Sequence, residues 1–352
     1  KVYELCIYNR FSSYLQTADN QFGFKKGLGC SHAIYTARNI IENFVKGGAT
    51  VNICAIDISK AYDKTDHHAL FIKLMQRKIP NEILLTLENW FSNCWTCVRW
   101  CDSTSAFFKI RLGVRQGSVL APYLFGVYVN DIAGKYQIGQ RSFVILYADD
   151  ILIISASVCD LQNILHKCEL ELKWLNMAIN AKKSCGIRVG PHCDVSCANI
   201  ISTDGSIIPW VSEIRYLGVF FVKSQRFKIS LVYAKKSFYR ALNSVFGKIG
   251  RVASIPVVLE MINKKCLPIL LFGLEACPLS NSDKSSLEFI LNRLMMKMFN
   301  TGNMDVVNDC AYYFHIEPIS VSLSRNATKF MRRFSASENI YCQVSAGLAC
   351  ND

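Results

Sequence analysis

Three carboxylates sit against apolar sequence in a way that suggests chemistry. Asp57 interrupts an apolar run rich in β-branched residues at 51–58, and Asp149-Asp150 separate two apolar runs at 142–147 and 151–156. An acid at a strand end is ordinary. An Asp-Asp pair between two strands is not, because tight turns favour Asn-Gly or Asp-Gly. Charges in such surroundings are costly unless something cationic compensates them. If the strand that ends at Asp57 lies beside the hairpin, Asp57 and Asp149 meet and could hold two divalent ions ~3.5–4 Å apart, the arrangement that supports in-line phosphoryl transfer. Ligation by carboxylates alone points to Mg²⁺, which takes few protein oxygens and completes its shell with phosphates and water.

The elements that must position these acids follow from periodicity. Residues 31–45 place Ile34, Ala37, Ile40, Ile41, Phe44 and Val45 on one helical face, with Ser31 as N-cap and Gly47-Gly48 as the stop. Residues 51–58 read as a buried strand, and helices are expected over 66–78 and, after Pro80 as first helical residue, over 81–91. Two β-like segments, 94–100 and 106–112, precede an apolar helix at 119–132 that ends in Asn130 and Asp131, read as helix-end residues. The runs at 142–147 and 151–156 read as a hairpin whose turn carries both acids. Leu161, Ile164, Leu165, Cys168, Leu172 and Leu175 form a further helical stripe, and short β segments are expected near 185–189, 207–211 and 216–222. Beyond 222 the pattern is helical and basic: residues 221–300 hold thirteen Lys or Arg against four acids. From about 326 the periodicity fades.

The 352 residues are 51% hydrophobic and 19% charged, with a mean hydropathy of +0.18, which excludes a disordered chain. A formal charge of +13 favours a polyanionic partner. No apolar stretch reaches the ~18 residues of a membrane span, since the best candidate, 266–279, is short and carries Glu275. The N-terminus shows no signal peptide and no initiator Met, and reads like the middle of a longer chain. Sixteen cysteines diluted over this length suit free thiols and an intracellular setting, for which cytoplasm and nucleus are the expected compartments of a chain with a polyanionic partner. Cys94, Cys97 and Cys101, even joined by His192, Cys193 and Cys197, offer one Cys-x-x-Cys, at 94–97, without the second that would pair with it in a zinc site.

At this point the order of the motifs resembles the reverse transcriptases. The segment from Gln21 to Ala33 (QFGFKKGLGCSHA) looks like the fingers motif, Ala55-Ile-Asp-Ile-Ser-Lys-Ala-Tyr-Asp63 resembles motif A, and Gly113-Val-Arg-Gln-Gly-Ser-Val-Leu-Ala-Pro122 resembles motif B. Tyr147-Ala-Asp-Asp150 is motif C of that family, Asn180-Ala-Lys-Lys-Ser184 matches motif D, and Tyr216-Leu-Gly218 the primer grip. The forms of motifs A and B, and Leu267-Pro-Ile-Leu-Leu-Phe-Gly-Leu-Glu275, are most similar to non-LTR (LINE-type) retrotransposons of the jockey/CR1 kind.

That resemblance implies an α+β, right-hand polymerase architecture: partial fingers, a palm with an antiparallel sheet carrying helices on one face, and a helical thumb. Fingers and palm would occupy 1–222 and the basic thumb 223–325, with 326–352 unassigned. It implies RNA-directed DNA polymerase activity with an RNA template, a DNA primer and deoxynucleoside triphosphates, using two Mg²⁺ ions for which Mn²⁺ could substitute. Asp57, Asp149 and Asp150 would be the catalytic, metal-binding acids. Tyr62 would be the steric gate against a ribose 2′-hydroxyl; Lys25, Arg115, Gln116 and Gly117 would contact nucleotide and template; Lys183, with Lys182 as its rival, would lie near the pyrophosphate. Tyr216, Leu217 and Gly218 would place the primer terminus, and Lys235, Lys236, Arg240, Lys248 and Arg251 would track the nucleic-acid backbone. The resemblance also implies an upstream endonuclease domain in the full-length element, absent from this chain. Two alternatives stand beside the active polymerase: a non-catalytic nucleic-acid-binding remnant, and a domesticated, intron-like or telomerase-like relative.

Overall fold

The computed structural model describes residues 1–134, 142–250 and 252–349, and the chain divides by packing into two compact units. The first comprises Lys1–Gly29 and Gly48–Val211, the second Cys30–Gly47 and Ser212–Asp352. No helix among the described residues is long and apolar enough to cross a membrane.

The first unit is built on four antiparallel strands in the order Ser142–Tyr147, Asp150–Ser155, Val51–Ile56, Cys185–Val189. Cys54, Ile56, Val144, Leu146, Ile151 and Ile153 share one core with the helices His67–Gln76, Ala121–Tyr128 and Val158–Trp174. The alternate residues Ile53, Ile145, Leu152 and Ile154 are equally buried. Burial of both faces is why these strands read as continuous apolar runs rather than as alternation.

Caps and turns set the helix limits. Asp66 is the N-cap of His67–Gln76, accepting from the N–H groups of His68 (2.8 Å) and Ala69 (3.1 Å). Pro80 is the N-cap of Asn81–Ser92 rather than its first helical residue. The expected single helix at 119–132 is two, Ala121–Tyr128 and Asn130–Gly134; Asn130 opens the second, and its Oδ1 accepts from the Ala18 N–H at 2.7 Å. Asp131 pairs with the buried Lys73. The segments at 94–112 form only short ladders, Trp95–Thr96 with Phe108–Lys109 and Arg99–Trp100 with Ser103–Thr104. An N-terminal helix, Val2–Phe11, carries no clear sequence signal; Tyr8 in it stacks on Tyr123 with ring centroids 4.1 Å apart.

In the second unit the helix Cys30–Lys46 matches its expected limits within a residue, and Gly48, with φ +78, follows it at the start of the other unit. The β segment expected at 216–222 is a hairpin, Glu213–Tyr216 against Val219–Val222, because Leu217 and Gly218 both take positive φ (45° and 88°) in a two-residue turn. The remainder is mainly helical, including Val232–Ile249, Asn281–Phe299 and Ile319–Ser335. Periodicity does not fade at 326: Ile319, Leu323, Phe330 and Phe334 form a buried stripe across that point, and a last helix, Ile340–Ala349, follows. The stripe is narrow and the rest of the helix polar, so the segment reads as low in hydrophobic content although its helical period is intact.

Candidate active site

The acids are positioned by backbone before any side chain acts. In the hairpin Tyr147 pairs with Asp150, so Asp150 is the first residue of a strand and the turn is Ala148-Asp149, one acid shorter than expected. Ala148 takes a left-handed φ of 57°, which costs a non-glycine residue about 1–2 kcal/mol. Gln21, fully buried, holds it there. Its Oε1 accepts from the Ala148 N–H (2.9 Å) and the Gly23 N–H (2.8 Å), and its Nε2 donates to the Ala148 carbonyl (3.3 Å). A Cβ on Gly23 would lie 2.6 Å from the Ala148 nitrogen, so the QFG segment fits the turn only with glycine there.

Asp57 is held from the other side. The register Ile56↔Ile151 brings the end of its strand to the hairpin turn. Its N–H donates to Ser184 Oγ at 3.1 Å, and its carbonyl accepts from the Asn180 N–H at 2.8 Å. The Asn180–Ser184 segment therefore clamps the Asp57 backbone.

These contacts gather Asp57, Tyr62, Gln116, Asp149 and Lys183 around one cavity of about 610 Å³, which Lys60, Lys64 and Asn180 also line. Burial, reinforced by the charge of Asp57, raises the Asp149 carboxyl above the usual carboxylate range, against an opposing hydrogen bond from its own N–H. Burial and then the charges of Asp149 and Asp150 push the Tyr62 phenol up, so it stays a neutral donor. The Tyr62 ring is stacked on Phe125 at 4.3 Å. Among the described residues neither Asp57 nor Asp149 forms an ion pair with a protein cation. Two mutually repelling carboxylates without a cation fit Mg²⁺, which binds through one or two carboxylates and takes its other oxygens from water and phosphate. No group of three or more His, Cys, Asp or Glu arranged to hold a metal occurs among the described residues, and the described cysteines are free thiols.

Other expected residues lie elsewhere. Asp150 is exposed at the strand start and does not line the cavity. Lys25 points its ammonium at the Ala18 carbonyl (2.7 Å) and Asp19 (3.5 Å). Arg115 lines a second cavity of about 330 Å³, with Gln116 and Asp63 forming walls of both, and its Nη2 lies 3.5 Å from Cys94 Sγ. Gly117 has φ +81, but no protein atom lies within 4 Å of where its Cβ would be; the close backbone approach belongs to Gly113. Lys183, not Lys182, faces the acids' cavity.

In the second unit, Tyr216 is buried and Gly218 leaves a Cβ position only 2.8 Å from the Phe272 ring. Lys235 donates to Ser286 Oγ at 2.9 Å, Lys236 lies 5.6 Å from the Tyr233 ring, and Arg240 and Lys248 are exposed on the same helix. Arg251 lies outside the described residues.

Gln21, Asn180 and Ser184 fall inside the fingers and D motifs without a role legible from sequence, and Glu4 lies outside every motif. This buried acid accepts from Ser118 Oγ at 3.0 Å and from the Val119 N–H, and so holds the start of the helix after Gly117. A buried acid whose partners lie more than a hundred residues away leaves no local trace in sequence.

Comparison with known proteins agrees with this geometry. The family model "Reverse transcriptase (RNA-dependent DNA polymerase)" matches residues 1–221. The probable RNA-directed DNA polymerase from transposon BS of Drosophila melanogaster is 22% identical over 97% of this chain and 39% of its own length. The RNA-directed DNA polymerase from mobile element jockey of Drosophila funebris is 26% identical over 62% of this chain and 25% of its own. The chain thus spans less than half the length of the curated relatives it matches. Apo telomerase from Candida tropicalis aligns with 98% of this chain and 61% of its own at a TM-score of 0.50 and 12% identity, a likeness of α+β right-hand polymerase fold alone. With six motifs in order, residues from four of them lining one cavity and a family match over residues 1–221, the chain belongs to the reverse transcriptase family.

Proposed function

We propose that the chain is the RNA-directed DNA polymerase domain of a non-LTR retrotransposon, adding deoxynucleotides to a DNA primer on an RNA template by two-metal phosphoryl transfer. One observation carries the reading: Asp57, Tyr62, Gln116, Asp149 and Lys183, from four separate stretches of sequence, line one cavity. Asp57 and Asp149 would hold two Mg²⁺ ions, replaceable by Mn²⁺, with Asp150 adding charge from the strand start. When bound, such ions supply a lowered pKa for the primer 3′-hydroxyl and neutralise the triphosphate.

The chain's own groups do the rest. The Tyr62 ring, stacked on Phe125, would form the floor that excludes a ribose 2′-hydroxyl. Lys183 faces the cavity as a proton donor to the leaving pyrophosphate. Gln116 contacts the incoming nucleotide, and the left-handed Gly117 turns the backbone beside it. Arg115 contacts the template, and Lys25 would reach the triphosphate by leaving Ala18. Tyr216, Leu217 and Gly218 place the primer terminus, and Lys236, Arg240 and Lys248 meet the sugar–phosphate backbone, with Lys235 and Arg251 as further contacts. An upstream endonuclease belongs to the longer element in this reading.

Primer extension on poly(rA)/oligo(dT) with Mg²⁺ tests it, comparing the chain with Asp149→Asn. Incorporation that depends on Asp149 is expected; none would overturn the proposal for this chain.

A further inference from the structure

We infer that the arm formed by residues 94–112 binds single-stranded RNA and guides the template toward the cavity of Asp57 and Asp149. The inference deepens the polymerase reading and rests on it for the identity of the strand.

The arm exposes an unusual set of side chains. Trp95 is 54% exposed, Trp100 79%, Phe107 69% and Phe108 47%. Four exposed aromatic rings between residues 95 and 108 are a dense set for one short arm, and clusters of exposed apolar side chains mark interaction sites. Arg99, Lys109 and Arg111 are also exposed, with Asp102 as the single acid of the arm. The ladder places Trp95 directly opposite Lys109, so an aromatic ring and an ammonium share one face.

Rings beside cations are what an unpaired polynucleotide requires. Its bases offer π-faces for stacking, and its phosphates meet Lys and Arg. A duplex hides those faces. Three cations against Asp102 leave the arm with a positive balance that suits a polyanion, and Lys109 beside Trp95 is a residue type that the centres of protein interfaces avoid.

The arm is also joined to the candidate active site. The Ile110 N–H donates to the Cys94 carbonyl at 2.9 Å and closes the base of the arm. Beyond its end, the Gly113 N–H donates to the Thr65 carbonyl (2.8 Å) and the Val114 N–H to the Tyr62 carbonyl (2.9 Å). Gln116, four residues after Leu112, lines the acids' cavity. A strand stacked on the arm is therefore delivered beside that cavity by a segment tied to its wall.

The test uses the full chain and an unstructured, fluorescein-labelled RNA of about 20 nucleotides, with affinity read by anisotropy in EDTA without nucleotides. Trp95→Ala and Trp100→Ala are each expected to weaken binding roughly 5- to 100-fold, with Trp95→Phe close to the parent. Lys109→Ala is expected to lower affinity and to reduce the salt slope by about one phosphate contact. Because the rings are exposed, thermal melting should be unchanged, so lost binding cannot be mistaken for unfolding. Binding by the arm variants equal to the parent would overturn the proposal. So would an equal loss on a blunt RNA–DNA duplex, or lost self-association in sedimentation with RNA affinity intact, which would mark the arm as a protein interface. The binding readout needs neither metal nor incorporation, so RNA binding through the arm without Asp149-dependent synthesis would refute the polymerase reading alone.

Discussion

Replacing Gly113 by alanine should injure this protein more than the same change at Gly117, and the reason is a matter of tenths of an ångström. A Cβ on Gly113 would lie 2.9 Å from the Asp63 carbonyl oxygen and 3.1 Å from both the Asp63 Cα and the Tyr62 carbonyl oxygen. Those are backbone atoms, pinned by the hydrogen bonds from Gly113 and Val114 to Thr65 and Tyr62, so they cannot swing aside as a side chain would. Left-handed φ in a non-glycine residue costs about 1–2 kcal/mol. Forcing a methyl group into close packing adds about 1–3 kcal/mol. Gly113→Ala should therefore lose about 2–5 kcal/mol. Gly117→Ala, at φ +81 with no protein atom near its Cβ position, should lose only the first part, about 1–2 kcal/mol. All five tryptophans lie in the first unit, so tryptophan fluorescence during urea unfolding reports that unit alone. The Gly113 variant should show the larger fall in midpoint and, in primer extension, a lower kcat as the turn carrying Tyr62 shifts. Equal midpoint shifts for the two variants would refute the claim that Gly113 closes on a rigid turn.

Asp149→Asn should raise the melting temperature at pH 7 while abolishing synthesis. The folded protein holds the Asp149 proton more tightly than the unfolded chain, so its favourable contribution is present below the ordinary carboxylate pKa of ~3.9 and is lost as pH rises through the raised value. The gain should therefore vanish in melts at about pH 3.5, and an unchanged melt at pH 7 would contradict the assignment. Millimolar Mg²⁺ should stabilise the parent in the same melts at pH 7 and the Asn variant less; equal shifts would place the ion elsewhere. Gln21→Ala strips Ala148 of its side-chain partners and should cost about 1–3 kcal/mol, with kcat falling more than KM rises; normal turnover would show that the turn holds itself. Tyr62→Val should improve ribonucleotide incorporation relative to deoxynucleotide by roughly 10- to 200-fold in single-nucleotide kinetics, and unchanged discrimination would place the gate elsewhere.

What could be read from sequence was whatever local chemistry dictates. Charge ending an apolar run marks Asp57 and Asp149 wherever the chain goes, and strand or helix period marks the elements that carry them. Where the structure departs from the sequence pattern, the cause is physical. The apolar run at 216–222 outweighed the turn signal of Gly218, although a glycine beside Leu217 was visible. The turn at 148–149 holds one acid rather than the expected two, because pairing of Asp150 with Tyr147 depends on hairpin register, which strand composition does not set.

By itself, then, the sequence determined the identity of the acids, the family to which the motifs belong and the concentration of positive charge beyond residue 222, because each is a property of neighbouring residues. Only the tertiary structure decided how the acids are held. The Gln21 contact to Ala148 spans 127 residues and the Glu4 contact to Ser118 spans 114, and no local pattern encodes a partner so distant. It likewise chose Lys183 over Lys182 and turned Lys25 toward Ala18, since adjacent residues share composition but point in different directions once the backbone is fixed.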